Sequence, residues 1–188
     1  MKRLFVFIFA VTSLAACTST SSENIQQKPE SVTLLAYDAF TPEPGIFDEF
    51  TKDTGIDVKV VTGGDSGVLI SKAILTAGNP EGDVLWGVDN TMLSRAQQAS
   101  LLTSYEPVNT GDICINADKE WFANSDVPMP TRLEDLMLPQ YRGLLVTQDP
   151  VASSPGLGFL LGTIAHFGEG QWQKFWAALK GYAHIAPD

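Results

Sequence analysis

Three short segments of this 188-residue sequence carry residues suited to binding a small ligand. Tyr37 and Asp38 form an aromatic–carboxylate pair that could stack on and neutralise a flat organic cation. Gly63–Gly67 and Ser153–Gly156 combine small residues and hydroxyl groups just before a predicted helix, where free backbone N–H groups can hold an anion. Each segment, taken singly, is also what an ordinary turn or helix cap requires. Their positions relative to the predicted strands therefore decide whether they form one site.

The first half of the chain predicts a parallel sheet that would place such segments at one edge. The predicted strands are Val32–Tyr37, Ile56–Val61 and Asp83–Val88, and the predicted helices are 45–54, 68–77 and 91–99. This alternation of strands and helices favours a mostly parallel sheet covered by helices. Ligands of such sheets bind beyond the carboxyl ends of the strands, which is where Tyr37 and Gly63–Gly67 lie.

The second half predicts a similar but less regular pattern. The predicted strands are Ile113–Asn116 and Leu144–Gln148, and the predicted helices are 155–167 and 170–180. Thr131 and Glu134 have the spacing of a capping box, in which the Glu134 carboxylate accepts a hydrogen bond from the Thr131 amide. Cys114 lies in an apolar stretch, so we expect a buried thiol without a catalytic role.

Composition and charge argue against several classes of function. The formal net charge is −10, with 22 acidic and 12 basic residues, which argues against a nucleic-acid partner. Two cysteines and two histidines, all far apart, predict neither a disulfide scaffold nor a metal site. The sequence has no Walker A or dinucleotide-binding pattern, no hydrolase elbow and no nucleophile–base constellation. We therefore expect a protein that is not an enzyme and has no catalytic residues, resident metal or cofactor.

The first sixteen residues have the form of an export signal. A short basic start precedes an apolar run that is too short for a permanent membrane span. Leu14–Cys17 then resembles the bacterial lipobox, which implies that Cys17 becomes the lipidated first residue; the alternative is an ordinary signal peptide cut nearby. We expect residues 1–16 to be a lipoprotein signal peptide and residues 17–31 a flexible tether. The protein would be exported and lipid-anchored at the cell envelope, in the periplasm or on the outer face of the cytoplasmic membrane.

Five segments of the remaining chain carry a family resemblance: Val32–Phe40, Gly63–Ile74, Gly82–Asn90, Gly111–Asn116 and Gln148–Gly158. They resemble the periplasmic thiamine-binding proteins of ABC importers, within the wider class of extracellular solute-binding proteins. The resemblance implies an α/β, periplasmic-binding-protein-like fold of two lobes with parallel or mixed sheets. Residues 32–108 would belong to the first lobe and residues 109–188 to the second, each lobe being partial. The implied function is to bind thiamine or a thiamine phosphate and deliver it to an ABC permease in the cytoplasmic membrane.

The resemblance also implies a role for each strand-end loop. Tyr37 would stack on the cationic ring of the ligand, and Asp38 would lie close to its positive charge. Three residues would line the cleft from the first lobe: Gly64, Asp65 and Ser66. Three others would hold the hydroxyethyl or phosphate end of the ligand: Ser153, Ser154 and Gly156.

Two departures from the family pattern bear on function. Residues 102–112 form a shorter segment than the relatives have, and the relatives continue well beyond Asp188 to complete the second lobe and then the first. We therefore expect the chain to correspond to the N-terminal part of a binding protein, as a truncated gene, a fragment or a degraded paralogue. Such a chain would be poorly stable alone and would bind its ligand weakly or not at all, because closure on a ligand needs both walls of the cleft.

Two alternative functions stay open at this point. The first is a solute-binding protein for another small ligand, such as iron(III) or a polyamine. Iron sites favour tyrosine pairs with carboxylates, whereas this sequence has four tyrosines and no adjacent pair. The second is an envelope structural lipoprotein, which would bind no small ligand.

Overall fold

The computed structural model describes residues 28–181 and 183–186, so the predicted signal peptide, Cys17 and most of the predicted tether lie outside the described residues. The elements in chain order are β1 (Ser31–Ala36), α1 (Asp48–Thr54), β2 (Asp57–Thr62), α2 (Ser66–Leu75), β3 (Val84–Trp86), α3 (Leu93–Gln98), α4 (Lys119–Ala123), two 3₁₀ helices (Leu133–Met137 and Pro139–Tyr141), β4 (Leu145–Gln148), α5 (Ser154–Phe167), α6 (Trp172–Leu179) and β5 (Ala183–Ala186). Within these residues, no helix has the length and apolar character needed to cross a membrane.

The first three strands form a parallel sheet in the order β2-β1-β3. β1 pairs with β2 over its whole length, from Ser31 opposite Asp57 to Ala36 opposite Thr62. It pairs with β3 over Leu34–Ala36, and these residues are buried because β1 is the middle strand. The predicted parallel sheet is confirmed, and the bounds of its strands differ from the prediction by only one or two residues.

Helix α2 packs on this sheet, and α3 packs on α2. α2 contacts β1 and α3 and buries Leu69 and Ile70. Its N-cap is Asp65, whose carboxylate accepts a hydrogen bond from the Ser66 amide at 2.6 Å. Met92 and Ala96 are buried at the start and middle of α3. These contacts hold α2 against β1 and α3 against α2.

The helix α1 is much less buried than α2. It begins at Asp48 rather than near residue 45, because hydrogen-bonded turns occupy the residues before it. It ends, as predicted, at Gly55, which adopts a φ of +64°. None of its residues is buried, and Phe50 is 43% exposed. Ile46, which precedes the helix, is 59% exposed beside an open groove between α1 and β2.

The second half of the chain builds a separate two-stranded parallel sheet, in which β4 pairs with β5. α5, α6 and the first 3₁₀ helix pack beside it around Leu136, Phe175 and Leu179. The Trp176 Nε1–H group donates to Thr163 Oγ1 at 2.9 Å, which joins α6 to α5. The strand β4 and both long helices match the prediction, whereas the sequence pattern did not predict β5.

The predicted strand Ile113–Asn116 is wrong. These residues form an irregular, exposed stretch with no strand partner in the described part of the chain. A strand pattern needs a neighbouring strand to complete its hydrogen bonds, and none lies beside it there. The Cys114 thiol is consequently exposed rather than buried, contrary to expectation.

The predicted capping interaction at Thr131 also has a different partner. The amide N–H groups of Thr131 and Arg132 donate to Asp135 Oδ2, at 2.9 and 3.0 Å, so Asp135 takes the role expected of Glu134. Glu134 instead contacts Arg132, at 3.3 Å, and His166 of α5, at 3.0 Å. The partner changes because the helix begins at Leu133, which makes Arg132 the N-cap and Asp135 the third helical residue.

The Asp135 carboxylate is expected to make stability depend on pH. The amides of Thr131 and Arg132 hold its pKa below the ordinary value, so its contribution is complete above the unfolded-state pKa and is lost as the pH falls through the folded-state pKa. Asp135→Asn should lower the thermal midpoint at pH 7 and converge with the wild type in strong acid. The control is Asp126→Asn, since Asp126 is exposed. A constant offset between Asp135→Asn and wild type from pH 7 down to strong acid would contradict this expectation.

Candidate functional site

The loops that follow β1 and β2 are joined by a reciprocal pair of hydrogen bonds. The Asp38 amide donates to the Gly64 carbonyl oxygen at 3.0 Å, and the Gly64 amide donates to Asp38 Oδ1 at 2.9 Å. The Asp38 side chain is exposed, and its second carboxylate oxygen accepts no hydrogen bond from the described residues. Two of the predicted site residues, Asp38 and Gly64, are therefore in direct contact. The second carboxylate oxygen of Asp38 takes no part in that contact.

The loop after β3 completes this arrangement. The buried Ser66 hydroxyl donates to the Gly87 carbonyl oxygen at 2.8 Å. The ring of Tyr37 lies against Gly87, which has a φ of +94°. Ser66 thus contacts protein in this structure rather than facing the open edge of the sheet, while Tyr37 stays partly exposed.

A fourth loop, from the second half of the chain, reaches the same place. The Gly67 amide donates to the Ala152 carbonyl oxygen at 2.7 Å. A Cβ atom on Gly67 would lie 2.5 Å from that oxygen, so the two backbones meet at a distance that only glycine permits. The segments Gly63–Gly67 and Ser153–Gly156, predicted separately, are therefore brought together by one backbone contact.

The residues at the start of α5 are buried. Ser153 is the N-cap, is 0% exposed, and its hydroxyl accepts a hydrogen bond from the Gly156 amide at 3.4 Å. Gly156 lies against the Gln148 carbonyl oxygen, to which a Cβ would approach within 2.7 Å. Ser154 is 7% exposed. These predicted site residues therefore shape the start of α5 in this structure, with little surface of their own available to a ligand.

Charge in these loops has one sign. Each of the four strand-end loops contains one aspartate, and none of residues 37–40, 63–66, 87–92 and 149–156 is Lys, Arg or His. The four carboxylates belong to Asp38, Asp65, Asp89 and Asp149. Such loops favour a positively charged ligand, because opposite charges attract most strongly where water is partly excluded.

Sequence reasoning overlooked the loop after β3, which includes Gly87 and Asp89. Asp89 Oδ1 accepts hydrogen bonds from the Thr91 amide, the Thr91 hydroxyl and the Met92 amide, which fixes the start of α3. The position at the carboxyl end of a predicted strand was the signal that could have identified this loop. Among the described residues, no three His, Cys, Asp or Glu side chains are grouped to hold a metal ion.

Comparisons with known proteins agree with this architecture. The chain is 26% identical over 168 residues to the thiamine-binding periplasmic protein of Salmonella typhimurium, covering 76% of this chain and 50% of that protein. A solved periplasmic thiamin-binding protein superposes with a TM-score of 0.63 at 23% identity, over 81% of this chain and 54% of that one. Iron-bound HitA from Pseudomonas aeruginosa superposes with a TM-score of 0.60 at 22% identity, over 84% and 56%. The structural matches establish a periplasmic-binding-protein-like α/β fold.

The chain spans about half the length of these proteins. The family described as bacterial extracellular solute-binding proteins matches residues 84–188, which is more than half of the sequence. This match and the shared fold lead to one conclusion: the chain belongs to the family of bacterial extracellular solute-binding proteins.

Proposed function

We propose that this protein is the solute-binding component of an ABC importer and captures thiamine or a thiamine phosphate. The observation that carries the proposal is the meeting of four strand-end loops around Tyr37, Asp38 and Gly67. Curated relatives named thiamine-binding periplasmic proteins support the choice of ligand. The ligand would be passed to a permease in the cytoplasmic membrane.

The chemistry of the exposed groups suits the cationic end of thiamine. The thiazolium ring is flat and positively charged, so it can stack on the partly exposed Tyr37 ring. The Asp38 carboxylate would lie beside the positive charge, and no basic side chain in the four loops would oppose it. Gly64 and Asp65 would line the same wall, and Ser66 would support it from behind.

The other end of the ligand would face the start of α5. The hydroxyethyl or phosphate group would lie near the start of α5, where Ser154 keeps 7% of its surface exposed and the helix N-terminus favours negative charge. Ser153 would keep this helix start in place as its cap. In this proposal residues 32–108 and 109–188 contribute the two lobes. An export signal and lipid anchorage through Cys17 would place the protein at the cell envelope.

The test is ligand-dependent stability of the purified full chain. A ligand that binds only the folded state raises the unfolding free energy, by about 2.7 kcal/mol at 100 times its dissociation constant. We expect millimolar thiamine to raise the thermal midpoint and Asp38→Asn to remove most of that rise. The matched control is Asp53→Asn, because Asp53 is an exposed aspartate on α1, outside the four loops.

The comparison ligands separate the alternatives. Thiamine phosphate, iron(III) citrate and spermidine are titrated in the same way. A rise with iron(III) or spermidine but not with thiamine would replace the proposed ligand. A cooperative transition that no ligand shifts would overturn the proposal and favour the structural role.

A further inference from the structure

Gly87 is in contact with the Tyr37 ring. A Cβ atom on Gly87 would meet Cδ1 of that ring and lie 2.7 Å from Cε1, closer than carbon atoms of neighbouring side chains approach. The atoms involved belong to the rigid body of the ring, so the whole ring would have to move. The absence of a side chain at Gly87 therefore determines where the Tyr37 ring can lie.

The backbone carbonyl group of Gly87 is fixed by a hydrogen bond. The Ser66 hydroxyl, on a residue only 3% exposed, donates to the Gly87 carbonyl oxygen at 2.8 Å. Next to Gly87, Trp86 packs against Phe40, with ring centroids 5.2 Å apart. The backbone of Gly87 is thus held by the first residue of α2, and its neighbour Trp86 is held by the loop between β1 and α1.

Tyr37 has no comparable hydrogen-bond anchor of its own. Its hydroxyl makes no hydrogen bond to any residue within 28–181 or 183–186. The orientation of its ring therefore depends on packing, and Gly87 supplies the surface against which it packs.

We propose that Gly87 is a positioning residue of the ligand site, which sets the stacking plane of the Tyr37 ring for a flat cationic ligand. This inference rests on the proposed function, because it concerns the same site. Gly87 touches Tyr37 rather than the ligand, so its effect on binding should pass entirely through the Tyr37 ring. Such dependence is measurable as non-additivity between the two positions.

The experiment is a double-mutant cycle on the full chain, with thiamine affinity measured by calorimetry. Gly87→Ala should weaken binding at least about tenfold, the value of a well-placed cation–π contact, and Tyr37→Ala should do the same. In the Tyr37→Ala background, Gly87→Ala should change the affinity less than about twofold, because the ring it displaces is gone.

Two further variants keep the cycle interpretable. Gly170→Ala is the backbone control, since Gly170 also has a positive φ, of +77°, and a Cβ there would meet nothing within 4 Å. It should leave thiamine affinity unchanged. Ser66→Ala frees the Gly87 carbonyl without adding an atom, and should weaken binding in the Tyr37 protein but not in Tyr37→Ala. This second cycle stands in if Gly87→Ala does not fold.

Each outcome has a defined meaning. If Gly87→Ala weakens thiamine binding by the same factor in the Tyr37→Ala background as in the wild type, the positioning role is overturned. The proposed ligand would not be affected by that result. Wild-type affinity in Gly87→Ala would overturn the positioning role as well. If the wild-type chain shows no thiamine binding, the proposed function fails first, and the positioning role fails with it.

Discussion

Replacing Gly67 by alanine is expected to destabilise the protein by about 2–4 kcal/mol and to abolish the proposed thiamine binding, since it combines overpacking with strain on a buried hydrogen bond. The new Cβ would lie 2.5 Å from the Ala152 carbonyl oxygen and 2.8 Å from its carbon. Both are backbone atoms, so no side-chain rotation relieves the clash. The hydrogen bond from the Gly67 amide to the same oxygen would be stretched or broken.

This contact is also where the two halves of the proposed site meet. Separating Gly67 from Ala152 would move the loop bearing Gly64 and Asp65 away from the start of α5. Urea unfolding measures the stability loss, and calorimetry measures the loss of affinity. Gly162→Ala is the matched control, because a Cβ at that helical position meets nothing within 4 Å and alanine favours a helix by about 1 kcal/mol. An unfolding midpoint of Gly67→Ala equal to that of wild type would contradict the close approach described here.

The second large effect is expected at Phe175. Phe175→Ala should cost about 3–5 kcal/mol, the usual range for removing a buried phenyl ring. The side chain is 1% exposed, stacks on Phe167 at 4.8 Å and meets Trp176 edge-on at 5.7 Å. It packs with Leu136 and Leu179, so its loss removes the centre of the cluster that joins α6 to the first 3₁₀ helix.

The measurement is again urea unfolding, with a leucine at another site as reference. Leu75→Ala removes apolar atoms from a residue that is 86% exposed and should change stability by less than about 0.5 kcal/mol. Phe175→Leu should fall between the two, because it retains part of the buried volume. Similar losses for Phe175→Ala and Leu75→Ala would show that the cluster does not form.

The first sheet could be predicted because its signals are local. Val58, Val60 and Val61 give β2 a β-branched run, and Gly55 closes the preceding helix at a position where only a positive φ fits. Strands that alternate with helices leave a parallel sheet as the simplest solution. The bounds of these helices and strands differ from the prediction by up to three residues, because turns and caps compete with regular structure at the ends of elements.

The second half shows where local signals fail. Ile113–Asn116 has the apolar pattern of a strand but lacks a neighbouring strand in the described chain. Ala183–Ala186 has a weaker pattern yet forms β5, because Leu145–Gln148 lies beside it. Pairing between segments almost forty residues apart depends on tertiary contacts that no short window of sequence contains.

The positions of the candidate-site loops could be predicted only in part, for the same reason. Strand-end position identified the loops of Tyr37 and Gly64, while the contact between Gly67 and Ala152 depends on how the two halves pack. The family resemblance assigned the hydroxyl groups of Ser66, Ser153 and Ser154 to the ligand. In the structure the hydroxyl groups of Ser66 and Ser153 form hydrogen bonds with backbone groups instead. The sequence could not show that these two side chains are buried.

The strand order β2-β1-β3 has a mechanical consequence. β1 is the first strand in the chain and yet the central one, and both of its neighbours pair with it rather than with each other. Tension applied along β1 from its N-terminal end would therefore pull on the strand that holds the sheet together. Since the strands run parallel to that pull, the load would be shared by all ladder hydrogen bonds at once, in shear. A sheet loaded in this way resists extraction better than one opened bond by bond from an edge.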